Sequence, residues 1–256
     1  MRRFFVSKDD ITSSVIMLHG EDAEHIYKVL RLRPGDEIIA CDGDENEYIC
    51  SIESCDKRSV DCRIIKREAS NSEPPVKVHI FQAIPKSTKM DMIIQKCTEL
   101  GMEGLTPVDT ERVVAHIKVN GDKRDISNKI SRWQRIAREA SKQSGRGRIP
   151  EISDIVTYDE MLGMLKGYDL NIIPYEKESD IGLKQVLKGK DTIKNIALII
   201  GPEGGFSEDE IERAKENGVF PITLGHRILR TETASLACLS MIMYALGDLG
   251  GGSWKE

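Results

Sequence analysis

Short apolar segments separated by turn residues fill the first seventy positions of the chain. Their spacing predicts five β-strands, at 4–6, 15–18, 37–41, 48–52 and 60–66. Asp42-Gly43-Asp44 forms a hairpin-type turn between two of them. One helix with an apolar face begins near Glu21 and ends before Pro34-Gly35. Five short strands with one helix predict a small β-barrel, an architecture that often binds RNA.

After residue 77 the pattern changes to apolar strands that alternate with helical spacing. Strands are predicted at 78–84, 105–108, 170–173, 196–200 and 220–224. Helices are predicted at 90–100, 127–143, 159–166, 208–217 and 233–247. This alternation predicts an α/β domain whose mainly parallel sheet is covered by helices on both faces. The polar, proline-rich segment 71–76 marks a linker, so the predicted domains are 1–70 and 77–256.

Composition narrows the class of protein. Hydrophobic residues make up 39% and charged residues 31%, which is typical of globular proteins that fold in water. No apolar run approaches the roughly 20 residues that a bilayer requires. Residues 1–6 do not begin a secretory signal, so we expect a cytoplasmic protein without membrane contact. The six cysteines form no C-x-x-C pair, which predicts reduced thiols and no metal site.

The net charge of −5 by itself argues against nucleic-acid binding, but the charge is distributed unevenly along the chain. Residues 121–148 hold nine Lys and Arg against three Asp and Glu, whereas residues 149–256 hold eleven against eighteen. One face of helix 127–143, continued past Gly145, carries a basic stripe: Arg132, Arg135, Arg138, Lys142, Arg146 and Arg148. Such a stripe can lie along RNA phosphates, although an ordinary solvated helix face has the same pattern.

The apolar strand 195–200 runs directly into the glycine-rich segment 201–205, and a helix follows. Ser207 and Glu210 have the spacing of a capping box that opens this helix. The glycines would let the backbone approach a ligand closely, although a tight turn alone also requires glycine. The phosphate-binding patterns G-x-x-x-x-G-K-[ST] and G-x-G-x-x-G are absent, which disfavours a kinase, NTPase or dehydrogenase.

A second informative segment, 223–235, leads into a nearly all-apolar helix. Four residues cluster at the start of this helix, where free backbone amides could hold a ligand: Arg230, Thr231, Glu232 and Thr233. An N-cap role is the simpler alternative for Thr231 or Thr233. A helix that is apolar on most sides must be buried in the core or against a partner chain.

Several motifs together resemble one protein family. Ile200-Gly-Pro-Glu-Gly-Gly205 is followed by Leu224-Gly225, Ile228-Leu229-Arg230 and Glu232-Thr-Ala234, as in the last two motifs of the SPOUT superfamily. The start Met1-Arg-Arg-Phe-Phe5 and the turn Gln143-Ser-Gly-Arg146 are similar to those of the ribosomal RNA small-subunit methyltransferase E family. The resemblance covers nearly the whole chain.

The resemblance implies a C-terminal SPOUT methyltransferase domain with a trefoil knot and an N-terminal PUA-like barrel. It implies S-adenosylmethionine as cofactor, held by three loops, and a homodimer formed through helix 233–247. The implied cofactor-binding residues are Ile173, Pro174, Glu176, Ile200, Gly201, Gly205, Leu224, Gly225, Ile228, Leu229, Arg230 and Ala234. Gly201, Gly205 and Gly225 would leave room for the adenine.

The resemblance implies methylation of a uridine N3 atom in 16S RNA of the small ribosomal subunit. The N3 proton must leave, and Arg230 is the first candidate to stabilise the developing anion because it stays charged beside the cofactor loop. Glu232 and Glu203 are weaker candidates for handling that proton. The barrel residues Arg2, Arg3, Arg31 and Arg33 could add RNA contacts. Two alternatives stay open: another RNA target for the same fold, and a non-catalytic RNA-binding assembly factor.

Overall fold

The structure is a computed structural model that describes residues 1–113, 123–190 and 192–251. The chain divides into two compact units, Met1–Glu73 with Ser141–Ile149, and Pro74–Ala140 with Pro150–Glu256. The boundary between Glu73 and Pro74 lies inside the predicted linker 71–76. The sequence does not predict that Ser141–Ile149 belongs to the first unit.

The first unit contains a five-stranded sheet with the strand order β1-β3-β4-β5-β2. β1 pairs in parallel with β3, and the other neighbouring strands are antiparallel. All five predicted strands are present, and they curl into a half-barrel of which β1 and β2 are the edges. The strands are β1 (Arg2–Phe5), β2 (Val15–His19), β3 (Glu37–Cys41), β4 (Asn46–Cys55) and β5 (Ser59–Ala69).

The predicted helix closes the core of this unit. α1 (Gly20–Glu24) continues into a π-helical segment, His25–Leu30, which ends where Arg31 adopts a left-handed φ of 55°. Ala23 and Ile26 pack into the apolar core of the half-barrel. All six cysteines of the chain are free thiols, as expected, and burial raises the pKa of Cys50 to about 11. The cysteines of this core therefore act as small apolar residues.

Glu73 holds the segment Ser141–Ile149 in the first unit. Its carboxylate accepts hydrogen bonds from the Arg146 guanidinium at 2.5 Å and from the backbone amides of Gly147 and Arg148 at 3.2 and 3.3 Å. Arg146 is only 3% exposed. The prediction that Arg146 extends an exposed basic stripe is therefore wrong, because its charge is buried against a carboxylate.

The second unit is built on a parallel sheet with the strand order β12-β10-β11-β6-β7-β8, with β9 also paired to β7. Every neighbouring pair is parallel, as the alternation of strands and helices predicts. The strands are β6 (Lys77–Ala83), β7 (Gly104–Asp109), β8 (Glu151–Ile152), β9 (Val156–Thr157), β10 (Leu170–Pro174), β11 (Asn195–Ile200) and β12 (Val219–Ile222).

Among the described residues of this unit, six α-helices precede or follow these strands. They are α2 (Lys89–Glu99), α3 (Lys123–Ser144), α4 (Tyr158–Met164), α5 (Leu183–Leu187), α6 (Glu208–Glu216) and α7 (Thr231–Ala245). Five of them match predicted helices, whereas α5, β8 and β9 are too short to show periodicity in the sequence. Of the helices in the described residues, none is long and apolar enough to cross a membrane.

Helix α7 is buried along one face only. Residues separated by a helical turn, such as Ser235, Leu239 and Ile242, are fully buried in the second unit. Met241 and Tyr244 on the opposite side are 41% and 57% exposed. The prediction that this helix is covered on most sides therefore does not hold within a single chain.

Candidate functional site

Three neighbouring strands end at one edge of the parallel sheet. β10 lies between β11 and β12, and Pro174 at the end of β10 is in register with Ile222 at the end of β12. Because all three strands run in the same direction, the loops 174–176, 201–205 and 223–230 leave the sheet at its carboxyl edge. This is the edge where open α/β sheets usually bind ligands. These strand ends and loops contain every residue for which the resemblance implies cofactor contact except Ala234, which lies in helix α7.

Backbone hydrogen bonds join two of these loops. The Tyr175 amide donates to the Ile222 carbonyl at 3.0 Å, and the Thr223 amide donates to the Ile181 carbonyl at 2.8 Å. The peptide group between Ile222 and Thr223 is therefore tied to the segment after β10 through both its carbonyl and its amide.

The glycines of the site have different roles. At Gly201 an added Cβ would lie 2.9 Å from the buried ring of Phe206, and at Gly205 it would lie 2.8 Å from the Glu176 carboxylate. At Gly225, where φ is +107°, an added Cβ would meet nothing within 4 Å. The expectation that all three glycines leave room for a ligand is therefore wrong for Gly201 and Gly205, whose Cβ sides face protein atoms.

Glu210 fixes the end of the glycine-rich loop. The predicted capping box is confirmed, since Ser207 accepts from the Glu210 amide at 3.3 Å and Glu210 accepts from the Ser207 amide at 2.9 Å. The second carboxylate oxygen of Glu210 accepts from the Glu111 amide at 3.0 Å. Arg112 donates to the Gly204 carbonyl at 3.2 Å. The segment after β7 thus helps to hold the loop, which the sequence does not indicate.

Thr231 connects helix α7 to the same loop. The hydroxyl of Thr231 is buried and donates to the Gly201 carbonyl at 2.6 Å. The helix N-cap is Arg230, whose side chain makes no capping hydrogen bond. The N-cap alternative for Thr231 or Thr233 is therefore wrong. Thr231 instead joins the start of the helix to the glycine-rich loop.

Lys89 lies between the two carboxylates that the sequence offers for proton handling. Its ammonium is 2.9 Å from Glu203 Oε1 and 3.1 Å from Glu232 Oε2. Burial would raise the pKa of Glu203, but hydrogen bonds from Lys89 and from backbone amides outweigh it and leave that pKa below its ordinary value. Glu203 is therefore ionised at neutral pH.

The other candidate residues differ in how far they are exposed. Ile173 and Ile200 are buried, so only their backbone can face a ligand. Leu224, Leu229 and Ala234 are half-buried, and Ile228 is 87% exposed. Arg230 is exposed beside them. The described residues contain no cluster of three or more His, Cys, Asp or Glu placed to hold a metal ion.

The expected RNA-binding residues divide into two groups. The Arg3 guanidinium pairs with Glu47 at 2.7 Å and Lys142 pairs with Asp22 at 2.7 Å, and both side chains are 14% exposed. These two residues, like Arg146, are therefore held by carboxylates within the first unit, and the expectation that they face RNA is not supported. Arg138 is half-buried. The exposed group comprises Arg2, Arg31, Arg33, Arg132 and Arg135. Of these, Arg132 also pairs with Asp91.

Known proteins match both units of the chain. The protein-family model of the RNA methyltransferase domain matches residues 72–243. The protein-family model of the RNA methyltransferase PUA domain matches residues 18–65. The ribosomal RNA small subunit methyltransferase E of Bacillus subtilis is 35% identical over 258 residues, covering 98% of this chain and 99% of the relative.

Two solved structures share the fold over nearly the full length. One is a ribosomal RNA small subunit methyltransferase E from Neisseria gonorrhoeae bound to S-adenosyl methionine, with a TM-score of 0.87, 29% identity and coverage of 97% and 99%. The other is a putative methyltransferase from Legionella pneumophila in complex with the same cofactor, with a TM-score of 0.85, 36% identity and coverage of 96% and 98%.

These matches first define a class, in which a SPOUT methyltransferase fold is joined to a PUA-like domain. Within that class, the chain belongs to the ribosomal RNA small subunit methyltransferase E family.

The packing at Gly201 predicts opposite effects of two glycine substitutions. Gly201→Ala should destabilise the protein by about 1–3 kcal/mol, because the buried Phe206 ring leaves no room for a methyl group. Gly163→Ala should stabilise it by up to about 1 kcal/mol, since Gly163 lies in helix α4 with open space at its Cβ position. Urea unfolding measures both. Equal effects of the two substitutions would contradict the packing role of Gly201.

Proposed function

We propose that the chain is an S-adenosylmethionine-dependent methyltransferase that modifies the N3 atom of a uridine in 16S RNA of the small ribosomal subunit. The observation that carries this proposal is the meeting of three loops at one edge of the parallel sheet. The family supports it, because the Neisseria gonorrhoeae relative is a small subunit methyltransferase bound to S-adenosyl methionine. Work on ribosomal RNA would place the protein in the cytoplasm.

The residues at this edge fit S-adenosylmethionine chemically. Leu224, Leu229 and the exposed Ile228 supply apolar surface for an adenine ring, and Gly225 offers backbone with open space beside it. Backbone groups of Ile173, Pro174 and Ile200 lie at the ends of the strands. The remaining residues proposed to contact the cofactor are Gly201, Gly205, Glu176 and Ala234. The bound cofactor would supply an electrophilic methyl group.

The chain must then stabilise a uridine that loses its N3 proton. Arg230 is exposed at the first turn of α7, and no carboxylate of the described residues forms an ion pair with it. Its charge is therefore available for the negative charge that develops on the uracil. Glu232 is a weaker acceptor for the N3 proton, because protonating it would weaken its ion pair with Lys89.

Methyl transfer to small ribosomal subunits that lack this modification tests the proposal. Labelled S-adenosylmethionine and nucleoside analysis of the product should give N3-methyluridine. Another methylated nucleoside would support a different RNA specificity on the same fold. RNA binding without methyl transfer would instead support a non-catalytic assembly factor, and either result would overturn the proposed reaction.

Substitution of Arg230 tests its role in the reaction. Arg230→Ala should lower kcat by about 10²–10³-fold, which is typical for loss of one donor that stabilises a developing anion. Its affinity for S-adenosylmethionine should change much less if the charge acts on the uracil. Arg227→Ala is the matched control, since Arg227 is an exposed arginine of the same loop. A similar loss of kcat in both variants would argue against a specific role for Arg230.

RNA contact is proposed for the exposed arginines. Arg132 and Arg135 lie on helix α3, and Arg2, Arg31 and Arg33 lie on the first unit. Their exposed side chains can reach phosphates, although Arg132 is also paired with Asp91. Arg3, Lys142 and Arg146 are instead buried or nearly buried against carboxylates. In binding titrations at several salt concentrations, Arg135→Ala should reduce the salt dependence of RNA affinity. An unchanged salt dependence would remove Arg135 from the RNA surface.

A homodimer is proposed from the outer face of α7. Met241 and Tyr244 expose apolar surface on a helix whose opposite face is buried. A second copy of the chain would cover this surface, as the family resemblance implies. Sedimentation at micromolar concentration should show a dimer that Met241→Glu weakens, and a monomeric wild-type protein would overturn the proposal.

A further inference from the structure

Gln82 is a buried polar residue that the proposed reaction does not use. It lies near the end of β6, in register with Ile200 at the end of β11, and it is fully buried. A buried amide is costly unless its donors and acceptor all have partners. Those partners show which parts of the molecule Gln82 connects.

The three polar groups of the Gln82 side chain are all satisfied. Nε2 donates to the Ala83 carbonyl at 3.0 Å and to the Thr231 hydroxyl at 3.0 Å. Oε1 accepts from the Ser235 hydroxyl at 2.6 Å. The Ser235 hydroxyl also lies 2.9 Å from the Thr231 carbonyl, which is a second acceptor for its single proton. The Gly201 carbonyl can only accept and therefore takes the Thr231 hydroxyl proton, so the Thr231 oxygen must accept from the amide. This requirement places Nε2 of Gln82 toward Thr231 and Oε1 toward Ser235.

The Thr231 hydroxyl both accepts and donates in this network. A threonine hydroxyl has one proton, and the Thr231 oxygen already accepts a hydrogen bond from Gln82. Its own proton is therefore free to point at the Gly201 carbonyl, 2.6 Å away. Gly201 precedes Pro202, whose carbonyl accepts from the Gly205 amide at 3.0 Å. The Gly201 carbonyl is thus held directly before the turn that closes the loop 201–205.

We propose that Gln82 and Thr231 are positioning residues that orient the Gly201 carbonyl and so lock the cofactor loop to the first turn of helix α7. Thr231 stands between Arg230 and Glu232 in the sequence, so these hydrogen bonds join the loop to the residue that separates the two candidate catalytic residues. The inference rests on the proposed function, since it assigns the loop 201–205 to cofactor binding.

The first experiment titrates S-adenosylmethionine into variants of Thr231. Thr231→Val keeps the shape but removes the hydroxyl, and the cofactor Kd should rise about tenfold. Thr231→Ser keeps the hydroxyl and should bind within about threefold of wild type. Thr98→Val is the matched control, because Thr98 is a buried helical threonine whose hydroxyl donates to the Ile94 carbonyl at 2.7 Å. It should lower the melting temperature without changing the cofactor Kd.

The second experiment asks whether Gln82 acts through Thr231. Gln82→Met keeps the length of the side chain and removes its donor, so the cofactor Kd should again rise about tenfold. Because both residues act on one carbonyl, the double variant should bind no more than about threefold worse than the weaker single variant. Independent effects would instead multiply to about a hundredfold. The Gln82→Met single variant by itself provides the test if Thr231→Val does not fold.

The outcomes separate the inference from the proposed function. If wild-type protein binds S-adenosylmethionine and Thr231→Val or Gln82→Met binds it equally well, the positioning role is wrong. Multiplicative effects in the double variant would show two separate structural roles and would also overturn it. If the wild-type protein itself does not bind the cofactor, the proposed function fails and the inference fails with it.

Discussion

Parallel pairing of β10 with both β11 and β12 is the constraint on which the candidate site depends. The carboxyl ends of the three strands meet at one edge because parallel strands share a direction. Each strand must then return through a crossover that covers a face of the sheet. The site is therefore built entirely from the segments that leave this edge, which lie about twenty to thirty residues apart in the sequence.

Short polar contacts hold those segments in place. Glu210 joins the loop after β11 to the segment after β7, and Thr231 joins it to helix α7. Glu203 accepts from the Lys86 amide at 3.2 Å and so joins it to the segment after β6. Three elements of the sheet edge thus hold one loop of five residues. Such a loop is largely formed before any ligand binds, which lowers the entropic cost of binding.

The sequence predicts the strands and longer helices well because their signals are local. An apolar run such as 196–200 and the capping pair Ser207 and Glu210 require only neighbouring residues. Lys89 and Gln82 could not be found in this way, since their partners are more than a hundred residues away in the chain. For Gln82, the only local signal in the sequence is a polar residue among the apolar residues of β6.

The arginines on and directly after α3 show that helical periodicity alone does not identify which charges are available for binding. Arg146 follows the basic face of α3, and nothing in its spacing reveals that Glu73 buries it. Arg132 and Arg135 occupy the same face and are exposed. Periodicity places a side chain on a face of a helix, but tertiary partners decide whether that charge reaches solvent.

Tertiary partners also distinguish Arg230 from the acidic residues near it in the sequence. Lys89 stands beside both Glu203 and Glu232, so Glu232 already has a cationic partner. The lowered pKa of Glu203 keeps that carboxylate charged as the pH falls from neutrality, until the pH drops through that pKa. Arg230 is thus not required to neutralise Glu232. Its charge is exposed and unpaired among the described residues, which is why we propose this arginine rather than the carboxylates as the group that acts on the substrate.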